Sequence, residues 1–563
     1  MLIKYNRKSM EKWIQNDQPQ IHEVKELNKV LKIPQFICSL LLQRKIYGLD
    51  DARQFFRPNL ELLHNPFLMK DMEKVVKRIQ ESSSEKIMIL GDYDVDGTTS
   101  TAMLFKYFKL KGFDVICYIP DRYQEGYGVS INAIMYAEQK NISLIITVDC
   151  GIKAIDPVNL ALSKKIDVII CDHHLPGNKI PDALGILNPK QSDCNYPFKD
   201  LCGCGIAFKL ITAHNSVSSY QINIFDFLDF VALATVSDMM PLVDENRLMV
   251  FHGLKVINSN PRVGLRNFLN SISSKIDESK ISFNIGPRIN AAGRMKNGKI
   301  IVDLLIEEDI DKANRLSNEV EFLNQNRRRI EKVVFEDAEK QIDFNRYTNV
   351  VYSEKWSQGV LGIVASRLIE KSYKPTIVMT KLNEDLFTGS VRSVKGFDVY
   401  KALSKCKEKI YQFGGHKYAA GLKVKKSNFT SFKEKFEKVV EETVKSQMFE
   451  RVFSYDLEIT FSDLTIQNAK IIMRMAPFGL SNNKPMFRTN NCSLSKGLVF
   501  VGKNSQIVKS IIKDQSGEEL PFVCFDRKDR FLNIKEKFNI LYTINVSSYS
   551  AAEQVELILK EIN

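Results

Sequence analysis

Much is missing from this chain of 563 residues. No run of about 18 uncharged apolar residues occurs, so no transmembrane helix is expected and no membrane association is implied. The opening "MLIKYNRKSMEKW" lacks the apolar centre of a signal peptide. The ten cysteines are scattered rather than framed, which suits a reducing, cytoplasmic setting. Neither GxSxG nor GxxxxGK[ST] is found, so a serine-hydrolase elbow and a Walker A phosphate loop are both excluded. No internal repeat or low-complexity tract stands out.

What is present can bury several cores: 44% of residues are hydrophobic, and the length suits three or four domains. Lys and Arg number 80 against 67 Asp and Glu, a net charge of +13 that favours an anionic partner such as nucleic acid. The many Lys, Asn and Ile residues would also fit a compositional bias with no bearing on partners.

Residues 1–80 read as a helical leader packed on the domain that follows. From 81 to 305 short apolar runs at 86–90, 114–120, 144–149 and 166–174 alternate with helical stretches, the pattern of a parallel, doubly wound α/β sheet, before a helix-rich part begins near 203. A charged helix connects at 306–345, with Arg327, Arg328 and Arg329 expected on its solvated face. A smaller α/β unit spans 346–447, and the spacing of short apolar stretches over 450–563 predicts a small β-barrel.

The acids decide what the first domain does. In "ILGDYDVDGTTS" (89–100), Asp92, Asp94 and Asp96 alternate and Gly97 closes the run, as an EF-hand calcium loop begins. Position 12 of such a loop would be Met103, where a bidentate glutamate is required, and the segment before it is strand-like. Calcium is rejected. Asp149 ends the third strand and the triplet Asp172, His173, His174 the fourth, while Asp238 follows the apolar "FVALATVSD". Ligands of open parallel sheets bind at the carboxyl ends of strands, so these acids and imidazoles would share one crevice. One Asp after a strand is usually a helix N-cap. Several together repel unless a cation compensates, and mixed oxygen and imidazole donors suit Mn²⁺ or Mg²⁺. Cys194, Cys202 and Cys204 form a rival zinc cluster, but the C-x-C pair has no nearby His, so buried thiols are expected instead.

"GDYDVDGTTS", "TVDCG", "CDHH" and "VSDMMPL", in this order, resemble the four motifs of the DHH phosphoesterase superfamily. "FGGHKYAAG" (413–421) is similar to the signature of its second, DHHA1-type domain. With "PDRYQEGYG", "GPRINAAGRM", "QGVLGIVASRL" and "GSVRSVKGFD", the likeness covers nearly the whole chain and points to the bacterial single-strand-specific 5′→3′ exonucleases. The resemblance implies two-metal hydrolysis of phosphodiesters in DNA recombination and repair. It implies that Asp92, Asp94, Asp96, Asp149, His173 and Asp238 hold or support two ions, Mn²⁺ or Mg²⁺. Asp172 and His174 would serve the same site, and His416 would aid catalysis by donating to a phosphoryl oxygen. Arg122, Arg288, Arg294, Ser390, Arg392, Gly414, Gly415 and His416 would bind the strand, with Ser390 and Arg392 at its 5′ end. The last domain would be an OB fold, for which Phe487, Phe500, Phe522, Phe525 and Tyr542 are candidate stackers, most of them expected in the core. Single-stranded DNA is the implied partner, with a helicase and a single-strand-binding protein beside it.

Two departures stand out. Relatives carry a His before "GVxGIVASR" where Ser357 and Gln358 stand here, and their "PFGEGN" reads "PFGLSNN" (477–483).

Overall fold

A computed structural model describes residues 11–270, 272, 274–443, 451–502, 506–525, 531, 534–547 and 553–563. The chain divides into two compact units.

The larger unit comprises Ile14–Gly293, Asn297–Ser317 and Ser454–Asn563. At its centre is a wholly parallel sheet in the order Asp114–Tyr118, Lys86–Gly91, Leu144–Val148, Asp167–Cys171 and Gly185–Leu187. Ile87, Met88, Ile89 and Leu90 have no exposure, as expected of a strand covered on both faces. The four strands read from the sequence are all here. The fifth, Gly185–Leu187, has no sequence signal, because three residues carry no period. Gly185 lets helix Met72–Glu81 close over this edge, since a Cβ there would lie 2.5 Å from Val75 Cγ2. The strand order reverses between Lys86–Gly91 and Leu144–Val148, and such a switch opens a crevice at the carboxyl ends. Helices Val95–Leu110, Gly203–Val217, Leu228–Ser237 and Asp244–Ser259 complete this part.

The leader divides. Met72–Glu81 packs on the parallel sheet, but helices Ile21–Leu31 and Gln35–Leu42 bury Leu27, Ile37, Leu40 and Leu41 in one core with Leu457, Phe487, Ile540 and Tyr542 near the other end of the chain. Arg44 Nε donates to Asn482 Oδ1 at 3.0 Å across the same junction. The C-terminal barrel itself is made of Phe487–Leu494, Ile507–Lys513, Glu519–Phe525, Phe538–Ser547 and Gln554–Ile562. It closes because the first of these pairs with both the fourth and the second. Its third and fifth strands run parallel and its other pairs antiparallel, giving a five-stranded OB-type barrel.

The smaller unit is built on Asn318–Phe453 with Arg294–Lys296. Its sheet runs Gln412–Gly415, Ala419–Lys425, Leu386–Arg392, Thr376–Lys381 and Asn349–Tyr352, with only the last two parallel. The expected connector is one 30-residue helix, Ile310–Glu339. Arg328 and Arg329 are exposed on it, but Arg327 is buried, which corrects the expectation of three solvated arginines. The helical period turns Arg327 inward beside Asn324 and Glu331, and its guanidinium bonds both, at 2.7 and 2.6 Å.

Candidate active site

Strand pairing aligns the acids. Gly91 lies opposite Val148, and Val148 opposite Cys171, so Asp92, Asp149 and Asp172 leave adjacent strand ends side by side. The Asp149 N–H donates to Cys171 O at 2.9 Å. Asp149 also takes a left-handed φ of 59°, costly for a residue with a Cβ, which turns its side chain into the crevice. Asp94 is the N-cap of helix Val95–Leu110, accepting from Gly97 N–H at 3.2 Å, so it is a cap and a member of the cluster at once. Gly97 is obligatory, because a Cβ there would stand 2.4 Å from Asp92 O. The segment entering this loop is a strand, which disposes of the EF-hand reading on geometry as well.

Asp96 is held from a distance. The N–H groups of Gly203 and Cys204, at the start of helix Gly203–Val217, donate to its Oδ2 at 2.6 Å and Oδ1 at 2.7 Å. A helix N-terminus favours a carboxylate by its partial positive charge. Gly203 is required there, since a Cβ would fall 2.7 Å from Asp149 Cβ. His173 Nε2 lies 3.1 Å from Asp149 Oδ1 and 3.7 Å from both Asp96 Oδ2 and Asp238 Oδ2. Asp172 stands behind His174. Its Oδ1 receives the His174 N–H at 3.0 Å and lies 2.7 Å from His174 Nδ1, while its Oδ2 receives Ile152 N–H at 2.9 Å. The Tyr127 hydroxyl donates to Asp149 O at 3.0 Å, beside His174.

The donors fall into three overlapping groups, Asp92–Asp94–Asp149, Asp96–His173–Asp238 and Asp149–His173–His174, each with one ligand atom per residue within 4.8 Å of the others. Such crowding resists charge. Burial, then the Asp94 charge, pushes Asp96 up to about 6. Burial, then Asp96 and Asp94, pushes Asp238 up to about 8. Asp92 and Asp149 are raised well above the carboxylate range, mainly by burial. Burial, then the His174 charge, takes His173 down to about 3. Asp92 Oδ1 and His173 Nδ1 are buried without a hydrogen-bond partner. Orphaned buried polar atoms amid repelling acids are what a bound cation would satisfy, so these residues fit divalent metal. The thiols do not join them: among the described residues no metal-capable group includes a cysteine. Cys194, Cys202 and Cys204 are buried, and Cys202 caps helix Gly203–Val217 by accepting Gly205 N–H at 3.3 Å.

The remaining candidates sit elsewhere. The Arg122 guanidinium lies 4.8 Å from the Tyr93 ring centroid, and its charge acts on Asp92. Arg288 lies in the first turn of helix Gly286–Met295 and donates to Asn284 O at 2.9 Å. In the smaller unit Arg294 donates to Gly359 O at 3.2 Å, just past Ser357 and Gln358. Ser390 and Arg392 share one face of strand Leu386–Arg392, with Arg392 Nη1 3.1 Å from Ser390 Oγ. Gly362 opens that face, where a Cβ would lie 3.0 Å from Arg392 Nη2 and 3.1 Å from Ser390 Oγ. Across the sheet Gly414 pairs with Gly421 and Gly421 with Ser390, so a row without side chains leads to the serine. Gly415 has φ 146° and the exposed His416 donates its N–H to Ala419 O at 2.8 Å. Of the proposed stackers, Phe487, Phe522 and Tyr542 are barrel core, Phe500 is partly buried and Phe525 is exposed.

Sequence reasoning missed the Gly203–Cys204 donors. Their signal, "CGCG" before an apolar helical stretch, was visible, but their target lies 107 residues away.

The arrangement has close counterparts. Residues 86–235 match the model of the DHH family, N-terminal domain, 346–442 the DHHA1 domain and 455–561 the RecJ OB domain. Fold and site together thus define a protein of the DHH class. Proteins named single-stranded-DNA-specific exonuclease RecJ are 33% identical over 554 residues in Bacillus subtilis (96% of this chain, 70% of that one) and 31% identical over 533 residues in Haemophilus influenzae (89% and 92%). The chain belongs to the RecJ family of the DHH superfamily. The crystal structure of RecJ in complex with Mn²⁺ from Thermus thermophilus shares the fold with a TM-score of 0.85, over 98% of this chain and 79% of that one, at 23% identity. A crystal structure of exonuclease RecJ bound to manganese is 30% identical, with a TM-score of 0.61 over 69% of this chain and 97% of that one.

Proposed function

We propose that this chain is a single-stranded-DNA-specific exonuclease that removes nucleotides 5′→3′ by hydrolysis, using two divalent ions, Mn²⁺ or Mg²⁺, in DNA recombination and repair. The observation that carries this reading is the cluster of acids and histidines at the sheet's switch point. The names borne by the relatives at 31–33% identity supply the substrate. Asp92, Asp94 and Asp149 would hold one ion, and Asp96, His173 and Asp238 the other. Such a pair activates a water and stabilises the reacting oxygens of a phosphodiester without a covalent nucleophile.

The protein's own groups do the rest. Gly203 and Cys204 keep Asp96 in place through their N–H donors. Asp172 fixes the His174 ring through Nδ1, leaving Nε2 to meet a phosphoryl oxygen or move a proton. Ser390 and Arg392 bind the 5′ end, where Arg can take a phosphate bidentately. Arg122, Arg288 and Arg294 contact further phosphates. Gly414 and Gly415 admit the strand's backbone closely, and His416 donates to a phosphoryl oxygen as charge develops. The barrel tracks the strand, with the exposed Phe525 as a candidate aromatic face. A helicase and a single-strand-binding protein would prepare the substrate, and the cytoplasm is the expected compartment. No described helix is long and apolar enough to cross a membrane.

Single strands labelled at either end test the reading with Mn²⁺ or Mg²⁺ present. A 5′ label should appear at once in short products, while a 3′-labelled strand shortens progressively. The reverse order, or a preference for dinucleotides, would overturn it.

A further inference from the structure

Buried in the larger unit is a second set of charges that shares no residue with the acid cluster. Lys209 is 1% exposed and Glu245 not at all, and the Lys209 ammonium bonds Glu245 Oε1 directly. Glu245 Oε1 also accepts His64 N–H at 2.7 Å, and its Oε2 accepts the Tyr196 hydroxyl at 2.6 Å. Lys209 Nζ donates to His64 O at 2.9 Å and lies 5.8 Å from the Tyr196 ring centroid. A buried ion pair is poor evidence for stability, because well-packed apolar residues often replace one at no loss. Its presence needs another explanation.

The two charges sit on two particular helices. Lys209 lies on Gly203–Val217, whose first two N–H groups hold Asp96. Glu245 lies in the first turn of Asp244–Ser259, the helix entered from Asp238 through 239–243. Asn246 fastens the same corner, its Nδ2 donating to Asp200 O at 2.6 Å and Pro241 O at 3.0 Å. Asp96 and Asp238 both lie 3.7 Å from His173 Nε2, which Asp149 Oδ1 approaches more closely, at 3.1 Å. The pair therefore joins the helix that clamps one carboxylate to the helix that follows the other. Asp92 and Asp94 depend on a strand end and on the N-cap of Val95–Leu110, which this pair does not touch, while Asp149 leaves a strand end of its own and meets the Lys209 helix only at Gly203.

We propose that the buried Lys209–Glu245 pair is a positioning element for the Asp96–His173–Asp238 half of the metal site and governs its affinity more strongly than that of the other half. It acts as a spacer of defined length: the direct Lys209–Glu245 bond, backed by His64, whose C=O accepts from Lys209 and whose N–H donates to Glu245, fixes the relative height of the two helices, which apolar packing would leave free to slide. This inference rests on the proposed two-ion reading. Residues that orient metal ligands typically change metal affinity about 10–100-fold when altered.

The test uses the full chain and Mn²⁺ alone, counting bound ions by electron paramagnetic resonance of the free ion, with thermal unfolding alongside. Single changes would strand a buried charge, so the variant is the apolar pair Lys209→Met with Glu245→Leu. The expected result is a near-native melting temperature with one of two ions weakened at least tenfold and the other weakened much less. Tyr196→Phe removes one bond to Glu245 and should weaken the same ion by a smaller factor, which keeps the test decisive if the double variant does not fold. Native affinity for both ions in a folded variant overturns the inference, as does equal loss of both. A wild type that takes up no Mn²⁺ overturns the two-ion reading and this inference with it, whereas two native ions that the variants leave undisturbed overturn this inference alone.

Discussion

At the scale of single residues, the site stores repulsion. Asp149 is buried, and the charges of Asp96, Asp94, Asp92 and Asp238 all act against its ionisation. Removing that charge should relieve the metal-free protein. Asp149→Asn is expected to gain about 1 kcal/mol without metal, a rise of about 2–4 °C in melting temperature, and to lose the further rise that Mn²⁺ gives the wild type. Scanning fluorimetry with and without Mn²⁺ reads both, and a fall in the metal-free value would contradict the account. Gly203→Ala probes the donors to Asp96. Its Cβ would need the space of Asp149 Cβ, 2.7 Å away, so the helix start must retreat from both carboxylates. A loss of about 1–3 kcal/mol in stability and weaker Mn²⁺ uptake are expected, and unaltered uptake would show that the two N–H bonds do not matter. Asp92, Asp94, Asp96, Asp149 and Asp172 were legible in the sequence because they follow apolar strand runs, and Asp238 because it ends an apolar run that folds as helix Leu228–Ser237. The donors were not, because a backbone N–H carries no residue signature and the contact spans 107 positions.

At the scale of elements, alternation did most of the work. Strand Leu386–Arg392 alternates half-buried and buried positions, which sets Ser390 and Arg392 on one face, as their i, i+2 spacing predicts. What the spacing does not reveal is the helix opposite, Leu361–Lys371, which leaves room for that face only because position 362 is Gly. Gly362→Val should crowd both side chains and weaken binding of 5′-phosphorylated single strands about tenfold, equal to about 1.4 kcal/mol, while Mn²⁺ uptake stays native. Fluorescence anisotropy reads the first and metal titration the second, and full DNA affinity would remove Ser390 and Arg392 from the binding face. Two elements were hidden for different reasons. Gly185–Leu187 is too short for any period to show, and the inward turn of Arg327 depends on partners three and four residues along its own helix.

At the scale of the whole molecule, the ends of the chain depend on each other. The leader reads as helical, but which core its apolar stripe joins cannot be read from period alone. The structure gives Leu40 and Leu41 to the core of the C-terminal barrel, more than 400 positions away. Leu41→Ala should therefore cost about 2–5 kcal/mol and loosen the barrel, seen as earlier hydrogen exchange in Phe538–Ser547. Exchange confined to the leader would contradict a shared core. The barrel, the smaller α/β unit and the parallel domain were each legible as classes because strand spacing and strand–helix alternation are local signals.

The claim on which everything else rests is that the acids at the strand ends make this chain a metal-dependent nuclease of single strands. The most direct measurement compares wild type with Asp94→Ala on one labelled single strand and its duplex, with Mn²⁺ and with chelator. Wild type should degrade only the single strand and only with metal, while Asp94→Ala binds that strand with at least roughly 100-fold less cleavage. Cleavage by wild type in chelator, or full activity in Asp94→Ala, would contradict it.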